Sequence, residues 1–282
     1  MSEADRRTTT RRDDVAPTIL ARRTLLTVAI LGIDVGGSGI KGALVDVRRG
    51  ATTTERFRLK TPKPATPERV IDVIGEVAAH FAHKGPVGIT FPGVVRDGVV
   101  ETAANMHKSW IGKNLPDLVK DELALDAVAL NDADAAAIAE SAHGAAKGVA
   151  GLVVLLTFGT GVGSGMVVDG RLVPNTEIGH LELNGKDAER QVAEGVREAN
   201  GWSWKKWSKA ANDYLALVES LFWPDLIVIG GGVAKNPNDW LPLLKTRAEL
   251  RVAALGNEAG IVGAAKAAQR AQARTARTAS PT

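Results

Sequence analysis

The sequence NDAD at 131–134 contains carboxylates that could accept a proton from a bound ligand. It directly follows the apolar run 127–130, so we expect it to lie at the end of a buried strand and to begin an Ala-rich helix over 132–146. A carboxylate in a cleft can orient a hydroxyl group and accept its proton, and Asp132 could do this. In isolation, the same pattern is typical of a helix N-cap, and Asp134 fits either a cap or a surface position.

A glycine-rich turn, DVGGSGIKG at 34–42, follows the first apolar run of the chain. Four glycines in seven residues allow a sharp turn and let backbone N–H groups approach an anion. Asp34 could hold Mg²⁺ through a water molecule beside phosphate oxygens. The spacing is neither that of a Walker A loop nor that of the dinucleotide fingerprint, because the strand-like sequence 43–47 follows instead of a helix. A plain tight hairpin is the alternative. The candidate phosphate or nucleotide contacts in this turn are Asp34, Gly36, Gly37, Ser38, Gly39 and Lys41.

Two further glycine-rich segments also follow apolar runs. The sequence TFGTGVGSG at 157–165 leads into another strand-like run and offers threonine hydroxyls as well as bare N–H groups. The triple glycine at 230–232 would let a flat or bulky ligand lie against the backbone, with a helix-packing turn as the alternative. The candidate contacts in these two segments are Thr157, Gly159, Thr160, Gly161, Gly230, Gly231 and Gly232.

Strands and helices have to position these turns, and the apolar pattern predicts both. Apolar runs without strict alternation predict strands that are buried on both faces, at 27–35, 152–158 and 226–229. Helical patterns lie at 67–83, 132–146, 213–222 and 261–271. Strands that alternate with helices predict an α/β fold with mixed or parallel sheets. Because two phosphate-binding turns lie far apart in the chain, we expect two similar α/β halves that face each other.

The composition excludes several classes of protein. The chain has 282 residues, 45% of them hydrophobic, which suffices for two modest domains, and it has no cysteine. Disulfides, thiolate metal sites and cysteine nucleophiles are therefore excluded. The net charge of +3 comes from the two ends, since the body between them has 25 basic and 28 acidic residues. We therefore expect no nucleic-acid partner. The apolar run 25–31 is too short to cross a membrane, so we expect no membrane association and a cytoplasmic protein.

Seven motifs together resemble one known family. In chain order they are DVGGSGIKG, GITFPGVV, NDADAAAIAE, LTFGTGVGSG, EIGH, IGGG and NEAGIVGAA. Over about residues 29–270 the chain resembles the ROK family of bacterial sugar kinases and sugar-responsive repressors, within the actin/hexokinase superfamily. The resemblance implies an actin-like ATPase fold with two α/β domains around a cleft. A small domain would cover 29–130 and be completed by the helix at 261–271, and a large domain would cover 131–260. The polar ends, 1–28 and 272–282, are predicted to be a disordered leader and a disordered tail.

The resemblance also assigns roles to individual residues. It implies that Asp132 is the catalytic base, that Asn131 binds a neighbouring sugar hydroxyl, and that Glu177 and His180 of the EIGH motif bind further hydroxyls. Glu189 and Asn105 match additional sugar contacts. In many members the EIGH histidine also binds zinc with three downstream cysteines. Since this chain has no cysteine, we expect no zinc.

The activity implied is transfer of a phosphoryl group to the 6-hydroxyl of glucose, with Mg²⁺, from polyphosphate, ATP or both. An ATP-only kinase for glucose or a related hexose shares every catalytic residue and is the first alternative. A ROK repressor is the second, but the roughly 30 residues before the first glycine turn lack the apolar period of a helix-turn-helix domain. The family also suggests a homodimer.

The segment 197–209 has two interpretations. Its lysines and arginine could guide a long polyanion toward the cleft. Alternatively, it is an amphipathic helix with tryptophans inward and lysines outward, which we favour for the aromatic residues.

Overall fold

The computed structural model describes residues 29–103 and 105–278. The leader predicted for 1–28 lies outside the described residues. The first part of the chain builds strands around two helices. Their bounds are β1 Ile30–Val35, β2 Gly39–Asp46, β3 Ala51–Thr52, β4 Phe57–Lys60, α1 Pro67–His80, β5 Val87–Phe91, β6 Val95–Arg96, β7 Val99–Val100, α2 Leu115–Leu123 and β8 Ala127–Asn131.

The second part begins with the Ala-rich helix that NDAD opens and ends with a long helix. Its elements are α3 Asp132–His143, β9 Leu152–Phe158, β10 Val162–Val168, β11 Arg171–Val173, β12 Glu182–Leu183, β13 Lys186–Asp187, α4 Glu189–Val192, α5 Glu194–Ala199, α6 Trp204–Phe222, β14 Leu226–Gly231, α7 Pro237–Trp240, β15 Glu249–Val252 and α8 Ala259–Thr278.

Both main sheets begin with an antiparallel hairpin and continue with parallel strands. In the first, β1 pairs antiparallel with β2 and parallel with β5, and β5 pairs parallel with β8. In the second, β9 pairs antiparallel with β10 and parallel with β14, and β14 pairs parallel with β15. Strands β3 and β4 extend the first sheet beyond β2, and β11 extends the second beyond β10. The prediction of two similar α/β halves is therefore confirmed.

Helix α8 packs against the first sheet through positions that lack side chains. A Cβ atom added at Gly88 would lie 1.9 Å from the carbonyl oxygen of Ala264, and one added at Gly32 would lie 2.1 Å from that of Ile261. A similar contact joins α8 to α3, because a Cβ at Gly263 would lie 1.8 Å from the carbonyl oxygen of Ala135. Buried residues of β1, β2, α3, β9, β14 and α8 form one apolar cluster, so α8 joins the two halves.

Two helices extend well beyond their predicted bounds. The last helix continues through Thr278, whereas we expected a disordered tail from 272; residues 279–282 lie outside the described residues. The sequence of 271–278 is polar, but its Ala, Gln and Arg residues have high helix propensity, so it extends a helix already held by packing. Helix α6 begins at Trp204, well before the predicted start at 213, because the side chain of Ser203 caps it by accepting a hydrogen bond from the backbone N–H of Lys206.

Within the described ranges, no helix is both long enough and apolar enough to span a lipid bilayer.

Candidate active site

Asn131 and Asp132 lie where β8 ends and α3 begins. The side-chain oxygen of Asn131 caps α3, accepting hydrogen bonds from the N–H groups of Ala133 at 2.8 Å and Asp134 at 3.0 Å. Its amide nitrogen donates to the carbonyl oxygen of Gly93 at 3.1 Å. Capping by Asn131 leaves the adjacent carboxylate of Asp132 open to solvent. The helix-cap interpretation of NDAD is thus confirmed for Asn131, and it leaves the Asp132 side chain available for another role.

The carboxylate of Asp132 is accessible but is crowded by the protein around it. Desolvation, followed by the charges of Asp34 and Glu177, raises its pKa to about 6, against the opposing hydrogen bond from the N–H of Ala133. A carboxylate with this pKa is mostly ionised at neutral pH and is a better proton acceptor than an ordinary aspartate. The position therefore suits a general base.

The first glycine turn joins β1 to β2 and carries Asp34 at its base. The two oxygens of Asp34 approach two side chains: Oδ1 accepts a hydrogen bond from Thr90 Oγ1 at 2.8 Å, and Oδ2 lies 3.0 Å from Lys41 Nζ. The turn is closed by a hydrogen bond from the N–H of Gly36 to the carbonyl oxygen of Gly39 at 3.0 Å. Helix α8 starts beside it, since a Cβ at Gly260 would lie 3.1 Å from the Asp34 carboxylate.

The second glycine turn and the triple glycine come together on neighbouring strands. Gly230 pairs with Thr157 and Gly231 with Phe158 in the parallel register of β14 and β9. A cavity of ≈ 190 Å³ lies beside these strand ends and is lined by residues of the second part of the chain. Its lining includes Thr157, Gly230, Gly231, Lys235, Gly256 and Asn257. Thr157 and two of the three glycines at 230–232 thus border one space.

The sugar candidates of the large half also lie close together. Glu177 leads into a short 3₁₀ helix that ends at His180. Burial, followed by the charge of Glu189, raises the pKa of Glu177, while His180 lowers it. Glu189 also reaches the second glycine turn, because a Cβ at Gly161 would lie 2.7 Å from Glu189 Oε2. These three side chains can therefore accept or donate hydrogen bonds at one end of the cleft.

Asp187, to which sequence reasoning gave no role, lies beside His180. Its Oδ2 is 3.5 Å from His180 Nδ1 and 3.9 Å from Arg190 Nε. Ligand atoms of His180, Asp187 and Glu189 all lie within 4.8 Å of one another. The hairpin of β12 and β13 places Asp187 there, and only the folded hairpin shows the contact.

Asn105 lies beside the first glycine turn, since a Cβ at Gly37 would lie 2.9 Å from Asn105 Cβ. Its side chain is exposed. In the FPG sequence before it, Phe91 lies at the end of β5. Phe91 is fully buried against Trp110, with ring centroids 5.0 Å apart.

Asp134 is buried and Asn131 is the cap of α3, so both alternatives predicted for Asp134, a cap and a surface position, are wrong. Its Oδ2 accepts a hydrogen bond at 2.8 Å from the backbone N–H of Asn175, two residues before Glu177. Burial, more than the nearby carboxylates, raises the pKa of Asp134 to about 7. Asn175 in turn exchanges hydrogen bonds with the backbone of Val95 in the other half. Asp134 thus holds the loop that carries Glu177.

Glu194, Lys235 and Asn257 also lie at the site but were missed. Glu194 lies against the triple glycine, because a Cβ added at Gly232 would collide with its carboxylate. Lys235 and Asn257 line the cavity. The motif NEAG contained Asn257, but one isolated amide gave no signal of a role.

In the segment 197–209, Trp207 lies in the core and Trp204 packs against it, as favoured, whereas Trp202 is half-buried outside the core. Trp207 is fully buried and donates a hydrogen bond to the carbonyl oxygen of Val192 at 2.8 Å. Lys206 stacks on Trp202, with Nζ 4.6 Å from the ring centroid. Lys205 and Lys209 are exposed.

Comparison with known proteins decides the family. A model of the ROK family matches residues 30–201, more than half of the chain. The chain belongs to the ROK family. Polyphosphate glucokinase of Mycobacterium tuberculosis is 53% identical over 237 residues, which cover 84% of this chain and 89% of that protein.

Solved structures agree with this ROK assignment. The crystal structure of inorganic polyphosphate/ATP-glucomannokinase from Arthrobacter sp. strain KM matches with a TM-score of 0.83 and 44% identity, over 86% of this chain and 99% of that chain. A ROK family glucokinase from Streptomyces griseus, solved in complex with glucose and AMPPNP, matches with a TM-score of 0.73 and 25% identity, over 86% of this chain and 99% of that chain. The predicted actin-like fold is confirmed.

Proposed function

We propose that this protein transfers the terminal phosphoryl group of polyphosphate or ATP to the 6-hydroxyl of glucose. The observation that carries the proposal is the position of Asp132. Its accessible carboxylate has a raised pKa and lies within the electrostatic reach of both Asp34 at the first phosphate turn and Glu177 of the sugar cluster. The ROK relatives that match over most of the chain are named for this activity, with polyphosphate and ATP as donors and glucose or mannose as acceptors.

In the reaction, Glu177, His180, Glu189 and Asn105 hold the sugar hydroxyls, and Asn131 binds the hydroxyl next to the reacting one. Asp132 accepts the proton of the 6-hydroxyl while the oxygen of that hydroxyl forms a bond to the terminal phosphorus. The bond from that phosphorus to the bridging oxygen breaks, and the shortened polyphosphate or ADP leaves. The backbone N–H groups of both glycine turns face the donor phosphates, where fixed dipoles stabilise the developing charge. The cavity at 230–232 can take the rest of the donor.

The oxygen donors at the site fit Mg²⁺. Asp34 and Asp132 are carboxylates at the cleft, and hard oxygen ligands with retained water are what this ion prefers. Both oxygens of Asp34 already have partners in Thr90 and Lys41, so we expect Asp34 to hold Mg²⁺ through water. When bound, Mg²⁺ would neutralise charge on the donor phosphates.

The experiment is a glucose phosphorylation assay with purified protein and Mg²⁺, run in parallel with ATP and with long-chain polyphosphate. We expect turnover with both donors, and with mannose as well as glucose. We expect Asp132→Asn to lose most turnover, by about 10²-fold or more, while still binding glucose in calorimetry. An active wild-type protein with a near-normal Asp132→Asn variant would refute the proposed base. A wild-type protein with no kinase activity would refute the function.

A further inference from the structure

The edge strand β4 carries a row of cations on one face. Along it, Phe57 and Leu59 turn toward the apolar core, so Arg58 and Lys60 turn the other way and are exposed; Arg56, which directly precedes the strand, is also exposed. A strand rises about 3.3 Å per residue, so Arg58 and Lys60 lie about 7 Å apart. The alternation makes this a linear array of charge.

The row starts at the first phosphate turn. The antiparallel register pairs Lys60 with Gly39 and Arg58 with Lys41. The guanidinium of Arg58 donates a hydrogen bond to the carbonyl oxygen of Ser38 at 3.2 Å, and its atoms lie 2.5–2.6 Å from where a Cβ at Gly39 would be. Lys63, just beyond β4, reaches the carbonyl oxygen of Gly37 at 3.4 Å. Two cations thus contact the turn predicted to hold the donor phosphates.

The other end of the row reaches the opposite side of the site. The guanidinium of Arg56 lies 3.5 Å from the carbonyl oxygen of Asn257, a residue that also lines the cavity beside the triple glycine. Between these two ends the charges are not neutralised. Within the described part of the chain, no carboxylate oxygen lies within 4 Å of a charged nitrogen of the four cations, whereas Lys41 is paired with Asp34.

We propose that Arg56, Arg58, Lys60 and Lys63 form a track for the part of a linear polyphosphate chain that lies outside the transfer site. The proposal rests on the proposed function and specifies how the site takes one of its two donors. Guanidinium groups match phosphate oxygens with paired N–H donors, and polyphosphate has a negative charge at every repeat. ATP continues from its three phosphates into an uncharged nucleoside, so it gains nothing from a row of cations beyond the turn.

The test removes charge at Arg56 and Lys60, whose side chains do not contact the turn. The variant Arg56→Gln/Lys60→Gln leaves Arg58 and its hydrogen bond to Ser38 in place. The matched control, Arg48→Gln/Arg49→Gln, removes the same charge from two exposed residues in the loop between β2 and β3, at the far end of the same strand pair. Initial rates of glucose phosphorylation are measured with long-chain polyphosphate, tripolyphosphate and ATP.

We expect the KM for long-chain polyphosphate to rise about tenfold in the row variant, since surface charges contribute up to several-fold each. The KM for ATP and for tripolyphosphate and every kcat should stay within twofold, and the control should match the wild type. The difference in the KM for long-chain polyphosphate between the row variant and the wild type should shrink in about 0.5 M salt, because screening shortens the reach of exposed charges.

An unchanged KM for long-chain polyphosphate, or an equal rise with ATP, would overturn the track while leaving the proposed function intact. The track would also be overturned if the KM for long-chain polyphosphate rose only in the variant Lys205→Gln/Lys206→Gln/Lys209→Gln, because the track would then lie on α6. A wild-type protein that uses ATP but not polyphosphate would overturn both the track and the proposed donor.

Discussion

The carboxylate of Asp132 has to be ionised in a place that opposes ionisation. Desolvation by the crowded protein around it and the charges of Asp34 and Glu177 all favour its protonated form. The same conditions make the ionised form a stronger base than an ordinary aspartate. The surroundings that make ionisation of Asp132 costly therefore also suit it to the proposed role of base.

The raised pKa of Asp132 predicts opposite trends in activity and stability. Below pH about 6 the carboxylate takes up a proton and cannot accept one, so kcat/KM should fall about tenfold per pH unit. Folding, however, raises the pKa of this group above its ordinary value of 3.8, so ionised Asp132 destabilises the folded state above pH 6. Asp132→Asn should therefore be more stable than the wild type at pH 7.5, and this difference should vanish as the pH approaches 4. Urea unfolding at both pH values measures it; an equal difference at both would contradict the assignment.

Asp187 gives a second prediction at the residue scale. With its carboxylate 3.5 Å from His180 Nδ1, it can hold the imidazole so that the other ring nitrogen faces a sugar hydroxyl. Asp187→Ala should raise the KM for glucose about fivefold with kcat within twofold, because the proposed role of the ring is sugar binding and not proton transfer.

Two further variants separate this positioning role from a general disturbance of the hairpin. Asp187→Asn keeps an acceptor oxygen and should recover most of the loss. Glu182→Ala changes the cross-strand partner of Asp187 and should behave like the wild type. If Glu182→Ala raised the KM as much as Asp187→Ala, the positioning role would be wrong.

At the scale of elements, two hairpins and one helix decide where the chemistry lies. Each hairpin presents a glycine turn, and the parallel strands beside it end at the same edge of their sheet. Helix α8 then brings its first turn to Asp34 in the first half while packing on α3. This close approach depends on glycine at the contact points.

Gly88→Ala should therefore destabilise the protein by about 3 kcal/mol, since the added methyl group would lie 1.9 Å from a backbone oxygen of α8 and the helix would have to shift. Gly185→Ala is the comparison. It has open space around it, and its φ of +77° gives a cost of only about 1 kcal/mol. Urea unfolding of both variants measures the difference, and equal costs would mean that α8 does not pack as described.

At the scale of the whole molecule, the distribution of charge matters more than its sum. The net charge of +3 and the pI of about 9.2 suggest a basic protein, but the excess is at the ends of the sequence. The folded body is slightly acidic and yet presents one line of cations on β4, next to the first phosphate turn. A local array of this kind can attract a polyanion when the average charge cannot, and the Arg56/Lys60 variant tests it.

The sequence by itself determined the alternation of strands and helices, the strands before the three glycine turns, and the strand end at which the proposed base lies. Each of these depends on residues that are neighbours in the chain: an apolar run, the glycines after it, or an Asn-Asp pair at a helix start. It also excluded thiol chemistry, since the chain has no cysteine.

Only the tertiary structure decided the contacts between distant residues. The burial of Asp134 against Asn175, the approach of Asp187 to His180 and the alignment of Arg58 and Lys60 with the first turn were all invisible in the sequence. A buried carboxylate and a surface one look alike in a sequence, because burial and cross-strand register arise from packing between segments far apart in the chain.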